Sequence, residues 1–168
     1  MSTFAINLTL SVFHHIKFFN DNYDHPLMDE TYFDLVSQGS SYEGVTSIDI
    51  DLKRVVLSSM SEWLEKRFDP VYQETLLGVP HLLSFLKSPA ELPESWRTKQ
   101  NDAKQTTDDP EAKPVLVNPV IHFPRELFQR KQTQEWFVPY MSLGRSWYFN
   151  YRIIPTRFEA HDLVARIV

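Results

Sequence analysis

The histidines and aspartates between residues 14 and 25 are the densest group of candidate metal ligands in this chain. Imidazole and carboxylate groups together suit zinc or a non-haem metal, so one hypothesis is a metal-dependent hydrolase that uses them. Their spacing matches no compact ligand pattern, and neighbouring strand residues point to opposite faces, so His14 and His15 cannot easily bind one ion. We therefore expect neither a bound metal nor a cofactor. The five residues are His14, His15, Asp21, Asp24 and His25.

Asp49, Asp51 and Lys53 form a second candidate group, with the residue order of a nuclease or metal–nucleotide site. A nuclease site needs its carboxylates on a strand, with a further acidic side chain nearby to hold Mg²⁺. The surrounding periodicity predicts a helix N-terminus instead, where the helix dipole already favours acidic residues. The sequence also lacks G-x-S-x-G, Walker and G-x-G-x-x-G motifs. We therefore assign no catalytic residue.

Residues 136–151 carry seven aromatic side chains in sixteen positions. Such a segment can be a wall of the core, a protein interface, or a stacking platform for single-stranded nucleic acid. Strand alternation places Trp147, Phe149 and Tyr151 on one face, which a core would bury, and leaves Tyr148 and Arg152 on the other. We expect the second face to contact a protein partner. The predicted partner-binding residues are Tyr140, Arg145, Tyr148 and Arg152, together with Trp96 from a distant polar segment.

Composition indicates a globular chain that excludes several kinds of site. The 168 residues are 42% apolar and 23% charged, and the absence of cysteine excludes disulfides, thiolate metal sites and a cysteine nucleophile. Residues 1–114 contain 10 Lys/Arg against 18 Asp/Glu, whereas residues 115–168 contain 7 against 4, which gives the total of −5. The acidic first part argues against nucleic-acid binding and suits a basic protein partner.

The hydropathy pattern predicts a cytoplasmic protein. The first ten residues alternate between apolar and polar and lack a basic n-region, so we expect no signal peptide. No run approaches the roughly 18 apolar residues that a membrane-spanning helix needs, so we expect no membrane contact.

Periodicity predicts the elements that would position these residues. Period-two alternation predicts strands, and steps of three and four predict helices. Strands are predicted over residues 4–18, 115–123 and 147–154. Helices are predicted over about 26–39, 48–68, 71–77, 80–86 and 125–135, and residues 162–168 could form a helix or a strand.

Residues 88–114 form a polar segment with four prolines and ten charged residues, in which Leu92 and Trp96 are the large apolar groups. It cannot bury enough surface to offset its own ordering entropy. We therefore predict a long loop or insertion that either docks through these two side chains or serves as a docking arm.

These patterns together predict a single α+β domain over residues 1–168. Its mainly antiparallel sheet would be formed by N- and C-terminal strands and would pack against the central helices. The helix over 48–68 would contact the apolar face of strand 4–18 through Trp63 and Val55. A split near residue 100 is the alternative. We expect a non-enzymatic protein-binding module, a small inhibitor or immunity-type protein that neutralises a partner enzyme or toxin. A subunit or adaptor of a larger assembly, and the hydrolase above, remain alternatives.

Overall fold

The chain forms a mixed α/β structure with a curled sheet. The computed structural model describes residues 3–7, 30–39, 47–101, 116–154 and 158–168. The strands are β1 (Thr3–Asn7), β2 (Phe33–Ser37), β3 (Ser47–Asp51), β4 (Val55–Ser59), β5 (Gln100–Asn101), β6 (Leu116–Val117), β7 (Val120–His122), β8 (Glu126–Arg130), β9 (Trp136–Leu143), β10 (Trp147–Ile153) and β11 (Asp162–Ile167). The α-helices are α1 (Met60–Lys66), α2 (Pro70–Thr75) and α3 (Val79–Lys87), and single 3₁₀ turns lie at Leu52–Arg54, Pro89–Glu91 and Glu94–Arg97.

Within the described ranges, the main sheet has seven strands in the order β2-β8-β9-β7-β11-β4, and β10 is added on β9. Strand β9 is the centre of this sheet, since it pairs with β10 over its length and also with β7 and β8. Strands β7 and β11 pair in parallel, and the other pairings described within this sheet are antiparallel. The order brings strands from distant parts of the sequence side by side.

The N-terminal strand lies outside this sheet. Strand β1 pairs antiparallel with β3 in a separate two-stranded sheet, rather than with a C-terminal strand as we predicted. Helix α3 contacts β1, β9 and β10. Val55 shares the large core with Ile6, but Trp63 belongs to another cluster, so Val55 alone of the two packs with the described part of the predicted first strand. Residues 8–18 of the predicted first strand lie outside the described residues.

Two apolar clusters cover the two faces of the curled sheet. The larger one lies under α3, where Phe85 packs edge-to-face against Trp96 with the ring centroids 5.6 Å apart. Phe149 is fully buried in it, and Trp147 and Tyr151 pack against it, as the alternation of β10 predicted. The smaller cluster places Trp63, Tyr72 and other side chains of α1 and α2 over part of the opposite face.

The predicted helix over residues 48–68 is wrong in its first half. Strand β3, a 3₁₀ turn and β4 precede α1, which begins only at Met60 after Ser59 accepts a hydrogen bond from the Glu62 amide at 3.1 Å. The adjacent β-branched residues Val55 and Val56 favour extended backbone. They pair with Ile167 and Arg166 of β11, so pairing with a distant strand selects a strand here instead of the helix that the local periodicity predicted.

The predicted helices over residues 125–135 and about 26–39 are also wrong where the structure describes them. Strand β8 and a turn replace the first, because Glu126, Leu127 and Phe128 are all buried and both faces of this strand are therefore covered. The second becomes β2, which pairs antiparallel with β8. Residues 26–29 lie outside the described part of the chain.

The remaining predicted elements agree more closely with the structure. Helices α2 and α3 match the two predicted short helices, β10 matches the predicted strand, and residues 162–167 form a strand. The described residues of the predicted polar loop pack against the core, since Leu92 and Trp96 are 4% and 2% exposed. Residues 102–115 lie outside the described residues.

Candidate partner-binding surface

Strand parity brings three of the predicted partner-binding residues to one side of the sheet. Tyr140, Tyr148 and Arg152, with Asn150 between them, lie on the face of β9 and β10 opposite the large core, and we call these four residues the tyrosine–arginine face. The register pairs Asn150 with Tyr140, and the rings of Tyr140 and Tyr148 meet edge-to-face with centroids 6.4 Å apart. Tyr148 is 38% exposed, so a second molecule could contact it.

A buried carboxylate beneath this face fixes the position of Arg152. Its guanidinium forms an ion pair with Asp162, which is fully buried, whereas the Arg152 side chain remains 33% exposed. The same guanidinium lies 6.0 Å from the centre of the Phe158 ring, within the range of a cation–π contact. One end of Arg152 is therefore fixed while part of it faces solvent.

His122 contacts the same carboxylate, and we call Asp162 and His122 the anchor of Arg152. Its Nε2 lies 3.1 Å from Asp162 Oδ1, and the Glu159 amide donates to Oδ2 of the same carboxylate at 2.8 Å. Burial lowers the pKa of His122 below its ordinary value, although the hydrogen bond to Asp162 opposes this. Burial of Asp162 raises its pKa, but the hydrogen bonds from His122 and Glu159 and the charge of Arg152 together bring the pKa below its ordinary value.

This arrangement of charges suits a structural anchor better than acid–base catalysis. A neutral His122 donates its Nε2 proton to an ionised Asp162, which satisfies the carboxylate on both oxygens. Both side chains are fully buried, so a substrate would have no direct access to the imidazole. The pair is therefore suited to orienting Arg152 and Tyr140.

Tyr140 connects the anchor to the surface. Its ring lies 5.7 Å from the His122 ring on one side and contacts Tyr148 on the other. Burial raises the pKa of the Tyr140 phenol, so its hydroxyl stays neutral at physiological pH. The face thus offers phenol hydroxyls, an amide and one guanidinium, which is the chemistry of a polar aromatic interface.

The two other predicted site residues are placed differently. Arg145 is exposed in the turn between β9 and β10, next to the strands that carry the tyrosine–arginine face. Trp96 is buried against Phe85 and belongs to the large core, so it is not exposed to a partner in this fold. No local pattern connects His122 with Asp162, because they are 40 positions apart and meet through the pairing of β7 with β11.

A second buried polar cluster lies at the start of α3. Glu126 accepts a hydrogen bond from the Val79 amide at 2.7 Å, and burial raises its pKa to about 7. His81 accepts one from the Gly78 amide at 3.1 Å, and burial lowers its pKa to about 3. A carboxylate that binds a helix N-terminal amide stabilises the start of that helix, so we assign this cluster to the fold.

The described part of the chain gives no support for a metal or membrane site. Its histidine, aspartate and glutamate side chains form no group of three or more that could hold a metal ion. The candidate ligands between residues 14 and 25 lie outside the described residues. No helix in the described ranges is long and apolar enough to cross a membrane.

Comparison with known protein families, with characterised proteins and with solved structures gives no match to this chain.

Proposed function

We propose that this chain is a protein-binding module whose contact surface is the tyrosine–arginine face. The observation that carries the proposal is that Arg152, 33% exposed, is oriented by a buried carboxylate on the same face as the exposed Tyr148. Tyrosine and arginine are enriched among the residues that dominate binding energy at interfaces. Fixing them before binding lowers the entropy that association costs.

The form of this proposal that fits the composition best is a small cytoplasmic inhibitor of immunity type, rather than an enzyme. Its net charge of −5 would speed the encounter with a basic toxin or enzyme. At the contact itself, Arg152 and Arg145 would donate hydrogen bonds to a carboxylate or carbonyl group on that partner. Long-range attraction and local recognition would then involve different parts of the molecule.

The test compares two tyrosine-to-alanine variants. A partner captured from the native host at low salt is purified, and its dissociation constant is measured for the unchanged protein, Tyr148→Ala and Tyr32→Ala. Tyr32 is the matched control, since it is 59% exposed but lies outside the tyrosine–arginine face. We expect Tyr148→Ala to weaken binding by about 30-fold, which corresponds to roughly 2 kcal/mol, and Tyr32→Ala to have little effect.

Equal affinities for the two variants would place the interface elsewhere. If the chain inhibits a basic toxin or enzyme, addition of salt should also slow association with that partner more than it speeds dissociation. Association that is independent of salt would remove the inhibitor form of the proposal and leave a neutral adaptor contact.

A further inference from the structure

A cavity of about 560 Å³ lies where the end of α1 meets the turn between β8 and β9. Its volume is within the range of pockets that bind small organic molecules. Most of its wall is aromatic or aliphatic, including Trp63, Trp136 and Ile153. The other lining residues are Gln38, Arg67, Phe68, Leu127, Gln134, Glu135 and Ile154.

Two buried polar atoms of the lining lack a hydrogen-bond partner among the described residues. They are Nε1 of Trp63, whose side chain is 1% exposed, and Oε1 of Gln38. An unpaired buried donor costs free energy comparable to a lost hydrogen bond. The indole can only donate, so it calls for an acceptor, and rotation of the Gln38 amide would present a second donor to the same group.

The lining also includes a cation that forms no ion pair within the described part of the chain. Arg67 lies with its guanidinium 4.8 Å from the centre of the Phe68 ring, and Phe68 is 78% exposed. The acidic residue of the lining, Glu135, already pairs with a cation, since its Oε2 accepts hydrogen bonds from Arg130 at 3.3 Å and from Thr133 at 2.6 Å. Among the described residues, Arg67 is therefore the charged side chain of the lining that has no ion partner.

We propose that this cavity binds a small amphipathic carboxylate. Its apolar body would pack against Trp63, Trp136 and Ile153, and its carboxylate would accept the Trp63 indole proton and pair with Arg67. A charge-assisted hydrogen bond of this kind is stronger than a neutral one, so the head group sets the preference for an acid over the matching alcohol. None of the four residues of the tyrosine–arginine face lines this cavity, although Ile153 and Ile154 of the lining directly follow Arg152 in the chain.

The test uses decanoate and decanol below the concentrations at which they aggregate, with binding measured by isothermal titration calorimetry. Decanoate should bind the unchanged protein more tightly than decanol does. Arg67→Met should weaken decanoate by about tenfold and leave decanol nearly unchanged, because only the charged head group loses a partner. Trp63→Phe keeps an aromatic wall but removes the N–H, so it should weaken both ligands, which share an acceptor oxygen.

Lys53→Met is the matched control, since Lys53 is an exposed cation that does not line this cavity. Far-ultraviolet circular dichroism establishes that each variant is folded before titration. Decanoate that fails to bind, or that binds with the same affinity to Arg67→Met and Lys53→Met, would overturn the proposal. Loss of partner binding in Tyr148→Ala with unchanged decanoate binding would support two independent sites.

Discussion

Arg152 on β10 forms an ion pair with Asp162 on β11, although β9 and β7 lie between these two strands in the sheet order. The contact is possible because the sheet curls and brings one face of the four strands around a common centre. His122 on β7 and Tyr140 on β9 lie at that centre. The surface proposed for partner binding therefore depends on the curl of the sheet.

Asp162→Asn should destabilise the protein at neutral pH by about 2 kcal/mol, because a buried carboxylate loses its charge-assisted hydrogen bonds. The folded-state pKa of Asp162 is below its ordinary value of 3.8, so its contribution is present above that pH and is lost as the pH falls further. The difference between wild type and variant should therefore shrink below about pH 4 in urea denaturation. Asp34→Asn is the control, since Asp34 is 60% exposed in its pair with Lys131.

Glu126→Gln should change the pH dependence of stability in the opposite direction. The pKa of Glu126 rises from 4.5 to about 7 in the fold, so folding favours the neutral form of this side chain. Its contribution to the free energy of unfolding is therefore full below pH 4.5 and is lost as the pH rises through 7. The stability of the variant relative to wild type should increase across this window, by at most about 1.4 kcal/mol per pH unit for one proton. His81 titrates in both proteins and cancels in the difference. A flat difference from pH 4.5 to 7.5 would contradict this prediction, and exposed Glu65→Gln is the control.

Gly78→Ala should cost about 2 kcal/mol or more, because the added Cβ would lie 1.8 Å from Glu126 Oε2. The backbone φ of Gly78 is −126°, which other residues also adopt, so the cost is a collision rather than backbone strain. A double-mutant cycle with Glu126→Ala tests this, since removing the carboxylate should reduce the cost of the Gly78 substitution. Additive costs would show that the two residues do not collide.

Trp96→Ala should destabilise the protein by about 3–5 kcal/mol, since the ring is 2% exposed and packs against Phe85. Phe68→Ala removes a ring that is 78% exposed and should leave the midpoint of urea denaturation almost unchanged. The comparison also tests the docking-arm alternative, in which residues 88–114 could be deleted without loss of stability. Equal midpoints for the two variants would restore that alternative.

The sequence predicted the elements in which one residue pattern dominates. The alternation of Trp147, Phe149 and Tyr151 gave β10 and identified its buried side, and Gly78 and Pro80 separated two short helices. Prediction failed where strands are covered on both faces, as at Glu126–Arg130, because burial of successive residues removes the alternation. It also failed at Val55, whose strand exists because β11 pairs with it.

The candidate site was predicted only in its exposed part. Tyr148 and Arg152 could be grouped by parity on the one predicted strand, whereas Tyr140 joins them only through the pairing of β9 with β10, and the residues that hold them could not be predicted. A histidine within the apolar run Val120–Phe123 was the one available signal for His122. Its partner Asp162 follows from strand order, which depends on long-range pairing that no local pattern specifies.

The position of β4 has a consequence for how the chain reaches this fold. Among the described strands of the main sheet, β4 pairs only with β11, which lies more than a hundred residues further along the chain, and β2 pairs only with β8. A chain emerging from the ribosome therefore holds two early strands without their neighbours until the late strands have been synthesised. Loop-closure entropy makes such distant pairing slow, so the nascent chain would need protection of its strand edges during synthesis.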